Sequence, residues 1–145
     1  MNIPRKYWLL AGLFFNLQFV FAQTLDIRIK NIKNHTGQLC IALFANDADF
    51  KAEKTCWNAR FDKKQMPDGE FTVQIPFKSG RFGLSVLDDE NATGKMEYNL
   101  LGVPREGFGF SDYYHRGLKR PLFGDFDFHL EKGETKIITV LLKYF

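Results

Sequence analysis

The stretch from Leu87 to Ser111, LDDENATGKMEYNLLGVPREGFGFS, gathers oxygen-bearing side chains, glycines and aromatics between two strand-like runs. Counting Asp89 as the first position of a calcium loop puts Asn91 third, Thr93 fifth, Gly94 sixth, the Lys95 carbonyl seventh and Glu97 ninth. An EF-hand-type loop supplies oxygens at those offsets, because a hard cation takes about six to eight of them, and it turns sharply at a glycine. Leu100 stands twelfth, where an acid belongs, so a metal here needs a carboxylate from outside the loop, and Glu106 is the candidate. The same residues also suit an Asx-rich turn in which Asp89 and Asn91 accept backbone N–H groups around Gly94. Both readings stand; calcium is the one cofactor the sequence suggests.

Downstream, Phe108, Phe110, Tyr113 and Tyr114 are interleaved with Gly107 and Gly109 between Pro104 and Pro121, with Arg116 inside the densest basic patch. These residues are the candidate ligand contacts. Aromatics beside glycines make either an exposed platform for a sugar ring or a partner protein, or a plug for the open end of a β-structure. Catalysis has little support. His35, His115 and His129 show no ligand spacing, no Ser lies in a Gly-x-Ser-x-Gly elbow, and a Ser111, His115 and Asp125 set is assembled only by free choice. Asp89 with Glu106 as a glycosidase pair is better explained by a turn or a metal.

The order of the stretch resembles a family. Asp89-Glu90-Asn91, Gly94-Lys95, Glu97, then Leu101-Gly102-Val103-Pro104-Arg105-Glu106-Gly107-Phe108-Gly109-Phe110-Ser111 looks like the signature of exported bacterial proteins grouped as domain of unknown function 2141. Members commonly carry His at the position of Asp88, and often Asn and Asp at those of Thr93 and Glu97. The resemblance implies a β-sandwich-like exported domain with no assigned activity. The acidic loop is also similar to the calcium loops of bacterial adhesin repeats, which are β-sandwiches, an analogy of loop and fold class that carries no function.

The elements that position this stretch begin with a leader. Arg5 and Lys6 precede an apolar run ending in Val20-Phe21-Ala22, the layout of a secretory signal peptide over residues 1–22, cleaved after Ala22. The run is broken by Asn16 and Gln18 and is short for a spanning helix, which takes roughly 20 apolar residues. A periplasmic or secreted mature domain, residues 23–145, with no membrane span is expected. Losing two of the 20 basic residues leaves 18 against 17 acids, a net charge of +1. With no basic run to track phosphates, nucleic acid is not an expected partner.

Through the mature chain the dominant period is two. Leu25, Ile27 and Ile29 alternate with Asp26, Arg28 and Lys30, and Phe71, Val73, Ile75 and Phe82, Leu84, Val86 repeat the pattern, each a strand with one wet face. Leu39–Ala45 is continuously apolar and predicts a central strand, with a turn at 34–37 before it and a helical turn or loop at 46–55 after it. Residues 56–61, 123–130 and 137–142 complete about seven strands, Gly124 suggesting a bulge and 131–134 a hairpin turn. No long helical period intervenes. The expected fold is an all-β antiparallel β-sandwich, immunoglobulin-like or transthyretin-like.

Cys40 and Cys56 are the only cysteines. In an oxidising compartment a bridge between them would persist and contribute roughly 3 kcal/mol on the chain-entropy model; two separate buried thiols are the alternative. Three function classes follow: a non-catalytic binding or structural module of the cell envelope, whose partner is an envelope protein or glycan; a small-molecule carrier with a cavity between its sheets; and, with least support, a hydrolase.

Overall fold

The computed structural model describes residues 22–145, so the leader expectation, apart from Ala22, lies outside the described residues. Eight strands occur: β1 (Gln23–Ile32), β2 (Gln38–Phe44), β3 (Trp57–Asp62), β4 (Gly69–Phe77), β5 (Gly80–Asp89), β6 (Gly107–Phe110), β7 (Asp127–Leu130) and β8 (Thr135–Leu141). A short helix, α1 (Asp47–Lys51), follows β2, its first turn closed by the Asn46 side chain accepting from the Asp49 N–H. One sheet has the order β4-β1-β8 and the other β3-β2-β5-β6, with β7 paired to β5 ahead of β6. The fold is the expected all-β sandwich. Its described strands pair antiparallel except β1 with β8, which run parallel. Among the described residues no helix is long and apolar enough to cross a membrane.

Alternation decides which face each strand buries. Leu25, Ile27 and Ile29 of β1 meet Leu39, Ile41 and Leu43 of β2 and Leu84 and Val86 of β5 in one core, closed by Ile138 and Val140 of β8. From Leu39 onward β2 is apolar because it is covered twice. Its odd residues enter this core, while Ala42 and Phe44 face a second, aromatic cluster on the outer side of the sheet with Phe50 of α1, Phe110, Phe123 and Phe126. These side chains fill the space between the sheets around this core, and a cleft lies on the outer face of the larger sheet.

The strand that alternation missed is β6, which raises the count from seven to eight. Gly107 and Gly109 face inward because nothing larger fits: a Cβ would fall 2.2 Å from the Tyr144 ring at the first and 2.6 Å from Val140 Cγ1 at the second. The chain end therefore lies directly on β6. Phe108 and Lys143 exchange backbone hydrogen bonds of 3.0 and 2.8 Å, tying the two sheets together along this edge. Two further expectations are corrected. Gly124 sits in a 3-10 turn, Phe123–Asp125, rather than a bulge, and 131–134 crosses between sheets instead of making a hairpin, since β7 pairs with β5 and β8 with β1.

Cys40 and Cys56 are free thiols, correcting the expected bridge. Cys40 pairs with Arg60 across the β2–β3 ladder, whereas the Cys56 N–H bonds the Leu43 carbonyl at the ladder's far end. Three to four residues of strand, roughly 10–13 Å at about 3.3 Å per residue, separate the positions, beyond the roughly 7 Å limit for a disulfide.

One end of the sandwich is closed by charge. β5 points Phe82, Leu84 and Val86 inward, and the same parity sends Asp88 inward, fully buried, against the equally buried Lys63 of the 3-10 turn Lys63–Gln65. Lys63 Nζ also donates to Asn34 Oδ1 at 3.0 Å, and the Tyr144 hydroxyl donates to Asp88 Oδ2 at 2.5 Å. Burial and the adjoining carboxylate push the Tyr144 phenol's pKa up, so it stays a donor. Removing one member of such a pair strands the other charge, at a cost of about 3–5 kcal/mol, whereas replacing both by apolar groups is near neutral. Asp88→Asn should therefore lower unfolding free energy in urea by about 3–5 kcal/mol, and Lys63→Met with Asp88→Leu should recover most of it. A single-variant loss below about 1 kcal/mol would show that the pair does not carry this end.

Candidate functional site

Adjacent acids on β5 part to opposite faces. Asp88 enters the core end, and Asp89, the last residue of the strand, faces the outer side. Its carboxylate collects donors: Oδ1 accepts from the Thr93 N–H at 3.0 Å, and Oδ2 from the Gly94 N–H at 2.7 Å and Gln38 Nε2 at 2.7 Å. Asn91 Oδ1 accepts from the Thr93 N–H at 3.2 Å, and the Thr93 hydroxyl donates to the Lys95 carbonyl at 3.3 Å. These bonds hold the Asp89 carboxylate below its ordinary pKa even against burial, which by itself would raise it most. The loop thus adopts the Asx-turn geometry anticipated from its residue types.

Glu106, the outside acid, does come to this place. It is buried just ahead of β6, where Oε2 accepts from the Glu97 N–H at 3.3 Å and Oε1 has no partner among the described residues. Burial first, then the neighbouring Asp89 and Glu97 charges, raise its pKa above the usual 4.5. Asn91 is exposed, and Glu97 enters through its backbone. Among the described residues no three His, Cys, Asp or Glu side chains converge as a metal cluster.

Beside this turn the outer face of the sheet carries a cleft of about 470 Å³. Cys40 and Ala42 of β2, Ser85 and Leu87 of β5 and Phe108 and Phe110 of β6 form its floor. These are the outward positions of three neighbouring strands, a consequence of period two. Gly94–Met96, Tyr98 and Pro104 border one side, and His115 with Leu118–Pro121 borders another. Arg120 fastens the second border to α1: its Nη2 donates to the Phe50 carbonyl at 2.6 Å and its guanidinium lies 4.1 Å from the Phe50 ring centre. Cys40, raised to about 11 chiefly by burial and then by the Asp89 charge, stays a thiol at neutral pH.

Of the expected ligand contacts, Phe108 and Phe110 line the cleft, Tyr113 packs half-buried against the aromatic cluster, and Tyr114 and Arg116 are exposed outside the lining. Reasoning from sequence missed His115 as a cleft residue. Its ring sits among Phe108, Phe110 and Tyr113, with centroids 6.3, 6.2 and 6.0 Å away, and both ring nitrogens are buried without a partner among the described residues. Its residue type and spacing give no sign that the ring folds back onto Phe108 and Phe110 of β6. Ser111 is buried, its Oγ donating to the Phe126 carbonyl at 2.5 Å and accepting from the Leu84 N–H at 3.0 Å, while Asp125 Oδ2 accepts from the Leu122 N–H. Ser111, His115 and Asp125 make no hydrogen bonds with one another among the described residues.

The signature segment is therefore one unit: an Asx turn, a buried acid, and a glycine strand that turns its phenylalanines outward. A family model described as "Uncharacterized protein conserved in bacteria (DUF2141)" matches residues 27–138. The chain belongs to the DUF2141 family. That match runs from within β1 to within β8, so in this DUF2141 member it takes in part or all of every strand and the cleft. No curated protein matches the chain, and no solved structure does.

A raised Glu106 pKa stabilises the fold fully below pH 4.5 and less as pH climbs through the folded value. The lowered Asp89 pKa acts oppositely, its contribution fading as pH falls through the folded value below 3.8. Glu106→Gln keeps an acceptor for the Glu97 N–H and removes the buried charge. Melting temperature, followed upward from pH 4.5, should fall less steeply in Glu106→Gln than in the parent; parallel curves would show that Glu106 has no raised pKa.

Proposed function

We propose that this protein is a non-catalytic binding module exported to the bacterial cell envelope, periplasmic or secreted, and that the outer-face cleft holds a glycan ring or a segment of an envelope partner. The observation that carries this reading is the cleft itself: a concave, aromatic-floored surface with an unpartnered imidazole in its border. Apolar floors with a few polar groups are where ligands bind. Export rests on the leader pattern. The absence of a bonded Ser111, His115 and Asp125 set favours binding over hydrolysis.

Protein recovered from the periplasm with Gln23 as its first residue would establish export. Soluble envelope glycan fragments titrated against that protein should shift the ring resonances of Phe108, Phe110 and His115. Ala42→Trp, which fills the floor, should abolish the shifts without lowering the melting temperature. If no fragment moves those rings and native mass spectrometry finds no retained ligand, the cleft reading fails.

For the acidic loop the hydrogen bonds favour a self-sufficient turn, since a cation at Asp89 would have to displace the Thr93 and Gly94 N–H groups. The unpaired Oε1 of Glu106 is the one feature that favours calcium. Melting with millimolar calcium and with chelator should give the same midpoint, because only a ligand of the native state raises it. A rise that Asp89→Ala removes would assign the loop to calcium.

A further inference from the structure

The excursion between β5 and β6 ends in a hairpin whose tip no described residue covers. Leu100 is 105% exposed and Leu101 87%, with Tyr98 at 60% beside them. This is not a frayed loop. Tyr98 bridges Pro104, the Asn99 N–H bonds the Val103 carbonyl at 2.9 Å, and the Gly102 N–H bonds the Asn99 carbonyl at 2.9 Å, with Gly102 in the left-handed region at φ 75°. Inside the turn, Asn99 Oδ1 accepts from the N–H groups of Leu101 and Val103 at 2.9 and 3.0 Å. Four of the five N–H groups from Asn99 to Val103 are bonded within the turn, so the tip holds its shape without a partner. The two leucines are held out by construction.

Phe145, half exposed, lies across a surface depression of about 620 Å³ from Tyr98 and Leu100, and Arg105 borders the same depression. Lys143 Nζ stands 4.1 Å from the Phe145 ring centre. From Tyr98 to Arg105 there is no acidic residue, and neither Arg105 nor Lys143 belongs to an ion pair among the described residues. The patch therefore combines a self-bonded apolar tip, an aromatic residue at its base and unneutralised cations around it.

We propose that the Tyr98–Pro104 hairpin is a lipid-contacting finger that docks the domain on an anionic membrane surface. Leucines enter the acyl boundary, Tyr98 lies at headgroup depth, and Arg105 and Lys143 meet the negative headgroups, the division of labour that interfacial binding uses. The self-bonded turn keeps both leucines projecting while the polar backbone at the tip stays at headgroup depth, where it can be hydrated.

The test is co-sedimentation of the mature chain with vesicles of 70% phosphatidylcholine and 30% phosphatidylglycerol, and with pure phosphatidylcholine. The expected result is binding to the anionic vesicles that weakens with salt. It should fall by on the order of tenfold or more in Leu100→Ser with Leu101→Ser, two leucines losing their burial, and less in Arg105→Gln. Circular dichroism checks that the variants fold, and Leu122→Ser, at an exposed leucine outside the patch, should sediment as the parent does. No sedimentation of the folded parent overturns the proposal, as does equal binding by the double serine variant. A concentration-dependent dimer that this variant converts to monomer would also overturn it, assigning the tip to self-association. None of these outcomes bears on the cleft.

Discussion

The buried pair of Lys63 and Asp88 is the constraint on which the rest of the structure depends. Neither charge reaches water, so each is tolerable only while the other, with Asn34 and Tyr144, stays in place. Those residues come from the β1–β2 turn, the 3-10 turn after β3, the end of β5 and the chain end. Four distant segments are thus required to meet at one point. A slip of β5 by one residue would exchange Asp88 for Asp89 on the inner face, so the pair also specifies register.

That register positions the candidate site. With Asp88 inward, Asp89 must face outward, where it organises the turn that leads to the hairpin and, through Gly94, a border of the cleft. Tyr144, held by Asp88, lies over Gly107 and makes glycine obligatory there. β6 can then present only Phe108 and Phe110, both to the outer face. The aromatic floor is a consequence of how the end of the sandwich is closed, and the same closure places Lys143 and Phe145 beside the hairpin.

Period-two alternation was legible wherever a strand has one apolar and one polar face, as in β1, β4 and β5. It was silent for β6, because a strand whose inward residues are glycines has no apolar pattern to read. Glu106 was singled out as a carboxylate from outside the loop, and the fold brings it close enough for the Asp89 charge to raise its pKa, although both carboxylates accept from N–H donors. His115 and Lys63 carried no local mark. A stricter use of parity would have found half of the ion pair, since Phe82, Leu84 and Val86 inward imply Asp88 inward, and a buried acid demands a partner.

Sequence alone determined the sandwich and the turn chemistry at Asn34–Gly37 and Asp89–Gly94, because each depends on alternation or on bonds spanning a few residues. Tertiary structure decided the parallel β1–β8 pairing, the separation of Cys40 from Cys56, the partner of Asp88 and the cleft beside His115. Those depend on which distant segments share a face, and a residue's type says that it needs a partner without saying which one the chain will bring.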